Sequence, residues 1–274
     1  MSHDLYIIAA GKGSRMGGAI PKALVNITDK PCLTTTLQQI GHKFTNVFIV
    51  TNKEVDEAWM DYYVDLKKRY PELYKNVVNL SIHSGLGDGH AVMKGLDAAE
   101  GLNQYYSSRG LPLMHVQENV IIAWGDVFFP QAEIIDELLE YQNTRYSGVL
   151  PCTYESHPYV QLVSDVHRRC THALFSKYGE VPGDGFHDQS VFLFKRSLIH
   201  ATLKSLHAAM WKGNKYVTHN GELSLLYAFH YLYNMNDPAI VYETKYPTLS
   251  FNTPEEVAAI QREIDLKWRE KFRR

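Results

Sequence analysis

A short apolar run that empties into a glycine loop, with fixed positive charge close behind, dictates how this chain must begin to fold. Asp4-Leu5-Tyr6-Ile7-Ile8 has the length and composition of a buried strand. It leads into Ala9-Ala10-Gly11-Lys12-Gly13-Ser14-Arg15-Met16, and then into Pro21-Lys22-Ala23-Leu24. Small residues at a strand exit let the backbone approach a ligand closely. Gly11 and Gly13 can take positive φ and turn their N–H groups toward an anion. With Arg15 and Lys22 supplying charge, the arrangement reads as a cradle for nucleotide phosphates.

Two familiar phosphate loops fail the comparison. A P-loop ends in Gly-Lys-Ser/Thr, which this segment lacks. A dinucleotide loop needs Gly-x-Gly-x-x-Gly, but Met16 stands at the third glycine position, with Gly17 and Gly18 displaced. No acidic residue follows the second apolar strand at the distance a ribose requires. A plain strand-to-helix turn would explain the glycines but not Arg15, Pro21 and Lys22 arriving together.

Downstream, apolar runs and amphipathic stretches alternate. Helices are expected over Leu33 to Lys43, Gly87 to Ala99, Gln131 to Gln142 and Glu222 to Tyr233. Strands are expected at 46–51, 77–82, 120–124, 148–152, 159–163, 190–194, 239–243 and 248–251. Thr51 and Glu54 have capping-box spacing for a helix toward Arg69. Thr253, Pro254 and Glu256 announce a final helix, with Val257, Ile260, Ile264 and Trp268 as its apolar stripe and Lys267, Arg269, Lys271, Arg273 and Arg274 at its basic end. Strands separated by helices imply βαβ units. The fold expected is α/β: a three-layer α/β/α, Rossmann-like arrangement on a mainly parallel mixed sheet. Residues 1–274 read as one domain, with 1–150 serving a nucleotide and 151–252 an acceptor, since no Pro/Ser-rich linker intervenes.

Charge and cysteine usage narrow the partners. Lys+Arg total 28 against Asp+Glu 30, a net charge of -2, so nothing points to nucleic acid or a membrane surface. No apolar run reaches the roughly 20 residues needed to span a bilayer. Cys32, Cys152 and Cys170 are too scattered for a disulfide framework or zinc knuckle. With no signal-peptide pattern, a reducing cytoplasm is expected. The oligomeric state is not legible.

The string Ala-Ala-Gly-x-Gly-x-Arg-Met followed by Pro-Lys-x-Leu resembles the signature of nucleotidyltransferases with the sugar-nucleotide-pyrophosphorylase (GT-A-like) fold. The resemblance implies that Ala9, Ala10, Gly11 and Gly13 wrap the nucleotide while Arg15 and Lys22 contact phosphates. Gly85-Leu86-Gly87-Asp88-Gly89-His90-Ala91 resembles the Leu-Gly-Thr-Gly-His-Ala segment of N-acetylglucosamine-1-phosphate uridylyltransferases, which assigns Gly87 and Asp88 to the base. Asp88 replaces the Thr of that family and could accept from a base or cap the helix. The glycines there would expose backbone N–H groups to the ligand. Trp124-Gly125-Asp126 ends a strand, and the resemblance makes Asp126 a Mg²⁺ ligand, with Asn252 completing the metal site before the last helix. Trp124, Asp188 and Glu222 are candidate acceptor contacts; Asp188 stands where relatives carry Asn, and Glu222 could equally cap a helix. No left-handed β-helix repeat follows, so a fused acetyltransferase half is not expected.

The implied reaction is attack of a phosphate monoester on the α-phosphorus of an NTP, with release of pyrophosphate. A monoester is already anionic near neutrality, its second pKa being ~6, so no general base is needed. Catalysis then rests on positioning and cationic stabilisation, with Arg15, Lys22 and Asp126 as its main residues. A sugar 1-phosphate is the expected acceptor. Phosphocholine with CTP, a molybdenum-cofactor precursor with GTP, and a catalytically silent nucleotide or sugar-nucleotide sensor are the alternatives. His83, His90 and His187 could lie near the site without a catalytic role.

Overall fold

A computed structural model describes residues 3–11, 13, 20–83, 85–141 and 145–271, with side chains described as far as residue 265. In chain order the elements are β1 (His3–Ile8), α1 (Cys32–Ile40), β2 (Val47–Asn52), α2 (Asp56–Arg69), α3 (Pro71–Tyr74), β3 (Val77–Ile82), α4 (Asp88–Ser108), β4 (Asn119–Trp124), β5 (Val127–Phe128) and α5 (Glu133–Glu140). They continue as β6 (Gly148–Glu155), β7 (Val160–Ser164), β8 (Cys170–Phe175), β9 (Gly185–Asp188), β10 (Val191–Lys195), α6 (Arg196–Met210), α7 (Tyr227–Asn234), β11 (Ile240–Glu243), β12 (Leu249–Ser250) and α8 (Pro254–Lys271).

One sheet runs β3-β2-β1-β4-β10-β6-β9-β7-β8, with β11 beside β6. β1 to β4 pair in parallel, and β10 joins β4 antiparallel. Followed along the remaining ladders, β6, β7 and β11 point the same way as β1, while β8, β9 and β10 point back. The sheet is therefore mixed, with most strands aligned. Alternate residues of β1 face opposite layers. Tyr6 and Ile8 join Phe48 and Val50 against Leu96 of α4, Leu203 of α6 and Phe229 of α7. Leu5 and Ile7 join Val47 and Ile49 against Leu37 of α1, Trp59 of α2 and Ile135 of α5. Both faces are thus covered, as strands this apolar require. No described helix is long and apolar enough to cross a membrane.

Four local expectations change. Thr51 does not cap; its hydroxyl donates to Asn79 Oδ1 at 3.0 Å, and Asn52 Oδ1 accepts from Glu54 N at 3.0 Å instead. The polar stretch between β7 and β10 holds two further strands, β8 and β9, whose half-buried pattern masks their period. Asp165 turns the β7–β8 hairpin, its Oδ1 accepting from His167 N at 2.9 Å and Arg169 N at 3.0 Å. Helix α6 is unannounced by the strand pattern, although Ile199, Leu203 and Leu206 carry helical spacing and are buried. The helix expected from Glu222 begins only at Tyr227, because the preceding backbone is recruited elsewhere: Leu223 N donates to Leu86 O at 2.8 Å, and Leu225 N to Asp88 Oδ1 at 2.6 Å.

The final helix starts as its sequence dictates. Glu256 N donates to Thr253 Oγ1 at 3.3 Å and Thr253 N to Glu256 Oε2 at 3.2 Å, a reciprocal capping box. Val257 and Ile260 pack with Phe251, Phe128 and Ile27, while Ile264 lies at the margin. The side chains of Trp268 and of the basic end lie outside the described residues.

Candidate active site

The strand order 3-2-1-4 places β1 and β4 side by side, each starting a connection at its carboxyl end, where open α/β sheets take their ligands. Ile8 pairs with Trp124 in the last rung. Gly125 N then donates to Ile8 O at 2.9 Å, and a Cβ on Gly125 would meet Ala9 Cβ at 2.9 Å. Only glycine allows this approach, which brings Asp126 beside the glycine loop. The Trp-Gly-Asp order thus has a packing reason beside any chemical one.

Lys22 opens a single 3₁₀ turn, Lys22–Leu24, behind Pro21. Its Nζ donates to Asp126 Oδ2 at 3.1 Å and to Asn252 Oδ1 at 2.8 Å. Three residues read separately from the sequence therefore meet at one point. Asn252 is held by Glu256, whose Oε2 accepts from its backbone N–H. A point within 3.1 Å of a carboxylate oxygen and 2.8 Å of an amide oxygen suits a hard cation, which prefers oxygen donors. Two protein oxygens leave the remaining positions to phosphate or water. No group of three or more His, Cys, Asp or Glu side chains able to hold a metal occurs among the described residues.

A cavity of about 1000 Å³ opens above this point. Ala9, Ala10, Gly11, Gly13 and Lys22 line one wall, and Gly87 and Asp88 another. Trp124, Asp126, Asp188, Glu222 and Asn252 line the cavity as well. Every candidate residue that is described thus borders one cavity. Arg15, with Lys12 and residues 14–19, lies outside the described residues.

The glycine-rich segment before α4 works differently from the expectation. Gly89 N is not offered to a ligand but donates to Leu223 O at 2.9 Å. Gly87, at φ 98°, has no room for a side chain, since a Cβ there would lie 2.3 Å from Leu223 O. Asp88 does not N-cap α4; Gly87 holds that position. The Asp88 carboxylate accepts from Leu225 N at 2.6 Å and Ser224 Oγ at 3.1 Å, which fixes the 222–226 segment as a cavity wall. Burial pushes the Asp88 carboxyl up to about 6, and these hydrogen bonds oppose the rise. Asp188 is also buried and displaced upward by desolvation, although Ser190 N donates to its Oδ1 at 2.7 Å. Glu222 lies in an exposed loop, tied to Asn220 Nδ2 at 2.8 Å.

The cavity has further residues that no motif announced. Tyr159, Phe175, Lys177, Tyr178 and Tyr227 line it. Phe175 stands 5.6 Å from Tyr178 and 6.0 Å from Tyr227, ring centre to ring centre. Lys177 Nζ sits over Phe175 at 5.4 Å and Tyr178 at 4.9 Å. Their signal was there, in the Phe-x-Lys-Tyr run after β8, but it needed the unrecognised strand. His187 borders the cavity with Nδ1 3.2 Å from Val160 O. His90 is buried behind the wall, 2.6 Å from Tyr216 OH, and burial lowers its pKa to about 4. His83 does not line the cavity.

Residues 5–207 match the family model of the MobA-like NTP transferase domain, and the chain belongs to that family. Among curated relatives, the bifunctional protein GlmU of Chromohalobacter salexigens is 29% identical over 182 residues, covering 65% of this chain and 34% of that protein. GlmU of Hydrogenovibrio crunogenus is 30% identical over 145 residues, 51% of this chain and 25% of that protein. The chain thus spans about a third or less of the length of these relatives. Among solved structures, a UDP-glucose pyrophosphorylase complexed with UDP-glucose aligns with a TM-score of 0.71 at 14% identity, covering 97% of this chain and 100% of that one. HddC from Yersinia pseudotuberculosis, complexed with GMP-PN, aligns at 0.62 and 14% identity over 96% of this chain and all of that one. At such identities the structural likeness speaks to the fold alone.

Proposed function

We propose that this MobA-like NTP transferase domain joins an NTP to a sugar 1-phosphate, giving an NDP-sugar and pyrophosphate. The observation that carries the reading is the convergence of Lys22, Asp126 and Asn252 on one point at the β1/β4 switch, directly beside the glycine loop. Residues 1–150 would hold the nucleotide and 151–252 the acceptor. The loop glycines and Lys22 bind and orient the phosphates, and Arg15 is assigned to the leaving pyrophosphate. A phosphate monoester already carries its nucleophilic charge near pH 7, so the chain need only hold it in line and offset charge at the α-phosphorus.

Asp126 and Asn252 would hold the Mg²⁺, which when bound screens the charge of the two phosphate groups. A sugar acceptor is favoured by the Gly87-Asp88-Gly89-His90 segment, which resembles that of N-acetylglucosamine-1-phosphate uridylyltransferases. Lys177 bears on the choline alternative. A quaternary ammonium seeks aromatic faces, but the faces of Phe175 and Tyr178 already carry the chain's own ammonium. An anionic acceptor with hydroxyl groups suits this wall better.

The test is pyrophosphate release across four NTPs and a panel of sugar 1-phosphates with Mg²⁺. One pairing should turn over, and Asp126→Ala should lower its rate by about 10²–10³ or more. A nucleotide that raises the unfolding temperature without any turnover would favour a sensor instead.

A further inference from the structure

The two oxygens assigned to a divalent cation are already held by the chain's own ammonium. Lys22 Nζ is 3.1 Å from Asp126 Oδ2 and 2.8 Å from Asn252 Oδ1, acceptors that lie 104 and 230 residues away in sequence. Mg²⁺ takes oxygen ligands at about 2.0–2.1 Å. An ion bound to both oxygens would therefore occupy the space that Nζ fills, and an ammonium and a dication cannot share it. The stem of Lys22 meanwhile runs along the phosphate loop, where a Cβ on Gly13 would lie 3.7 Å from Lys22 Cγ. One side chain thus stands between the metal ligands on one side and the triphosphate cradle on the other.

We propose that Lys22 closes the metal site of the nucleotide-free chain, and that a triphosphate opens it by drawing the ammonium away from Asp126 and Asn252. This rests on the assignment of those two residues as metal ligands. The anionic phosphates at Gly11 and Gly13 offer Lys22 a stronger partner than one half-buried carboxylate. A triphosphate that favours release of Lys22 raises the affinity for the cation at Asp126, and the cation raises the affinity for the triphosphate by the same factor, because the two equilibria are linked. Free divalent ions are then excluded until a nucleotide is present, and the metal enters with its phosphates. A purely structural ion pair, pinning the start of α8 to the loop, predicts the reverse. On that view, losing Lys22 loosens Asn252 and weakens metal binding.

The experiment is a titration of the whole nucleotide-free chain with Mn²⁺, with free ion read by electron paramagnetic resonance. Lys22→Met should bind Mn²⁺ at least about tenfold more tightly than the natural chain, and Lys22→Arg should not. The gain should vanish in Lys22→Met combined with Asp126→Asn. Thermal unfolding checks that each variant is folded, and Lys22→Gln serves if Lys22→Met is not. A folded Lys22→Met or Lys22→Gln that binds Mn²⁺ no better than the natural chain overturns the latch. If Asp126→Ala still abolishes Mg²⁺-dependent pyrophosphate release, the latch alone has failed. A gain that survives Asp126→Asn places the ion elsewhere, and the metal assignment falls with it.

Discussion

The proton balance of Asp88 follows from the work its carboxylate does. It is enclosed beneath the 222–226 wall, and burial raises its pKa to about 6 from an ordinary 3.8. The folded chain therefore binds this proton more tightly than the unfolded chain does. Between about pH 4 and 6 the folded state carries more of it, so this group's contribution to stability declines as pH rises. Asp88→Asn keeps the acceptor for Leu225 N and removes the charge. A rise from 3.8 to about 6 corresponds to ~3 kcal/mol, so the variant's unfolding temperature should match the natural chain near pH 4 and exceed it by roughly 6–12 °C above pH 6.5. Thermal unfolding at several pH values measures this, and a difference independent of pH would contradict it. Of the residues that line the cavity, those read from motifs were legible because each pairs a charge or a glycine with a strand exit. Lys177 and Tyr227 were not, since nothing in their neighbourhood fixes which face of an unrecognised strand or a delayed helix they occupy.

Elements explain why the glycines at the start of α4 must be glycines. Their backbone is pressed against the 223–225 segment, with Gly89 N bonded to Leu223 O at 2.9 Å. A methyl group on Gly87 would lie 2.3 Å from Leu223 O, at a φ of 98° that L-residues avoid. Gly87→Ala should cost roughly 2–4 kcal/mol, and a drop of only a degree in unfolding temperature would refute this packing account. The same contact explains the misplaced start of α7. Residues 222–226 have a helical pattern, but tertiary partners claim their N–H groups, and local propensity yields to that. Helix α8 shows the opposite case. Its Thr253-Pro254-x-Glu256 start is satisfied within four residues, so sequence alone defines it. β8 and β9 lie between: they are half-buried strands whose alternation is too weak to stand out from a polar background.

Over the whole molecule, the place of the cavity follows from topology. The order 3-2-1-4 leaves a crevice between the carboxyl ends of β1 and β4, and the two loops that leave there carry Gly11, Gly13, Lys22 and Asp126. The antiparallel extension through β10, β6, β9 and β7 carries the sheet past this crevice and brings Tyr159 and Asp188 to the cavity. Helix α8 returns from the far end of the chain to place Asn252 against Lys22. The α/β class and the parallel half were legible because buried parallel strands are continuous apolar runs. The antiparallel half was legible only in part: β6 and β10 keep buried apolar runs, while β8 and β9 are half-buried and lose that signature. Labelled NTP distinguishes attack at the α-phosphorus from attack elsewhere on the triphosphate. With the productive acceptor and Mg²⁺, label at the α-phosphate should pass into the sugar product, while label at the γ-phosphate should leave as pyrophosphate. Release of γ-label as inorganic phosphate, or its transfer to the acceptor, would contradict the account.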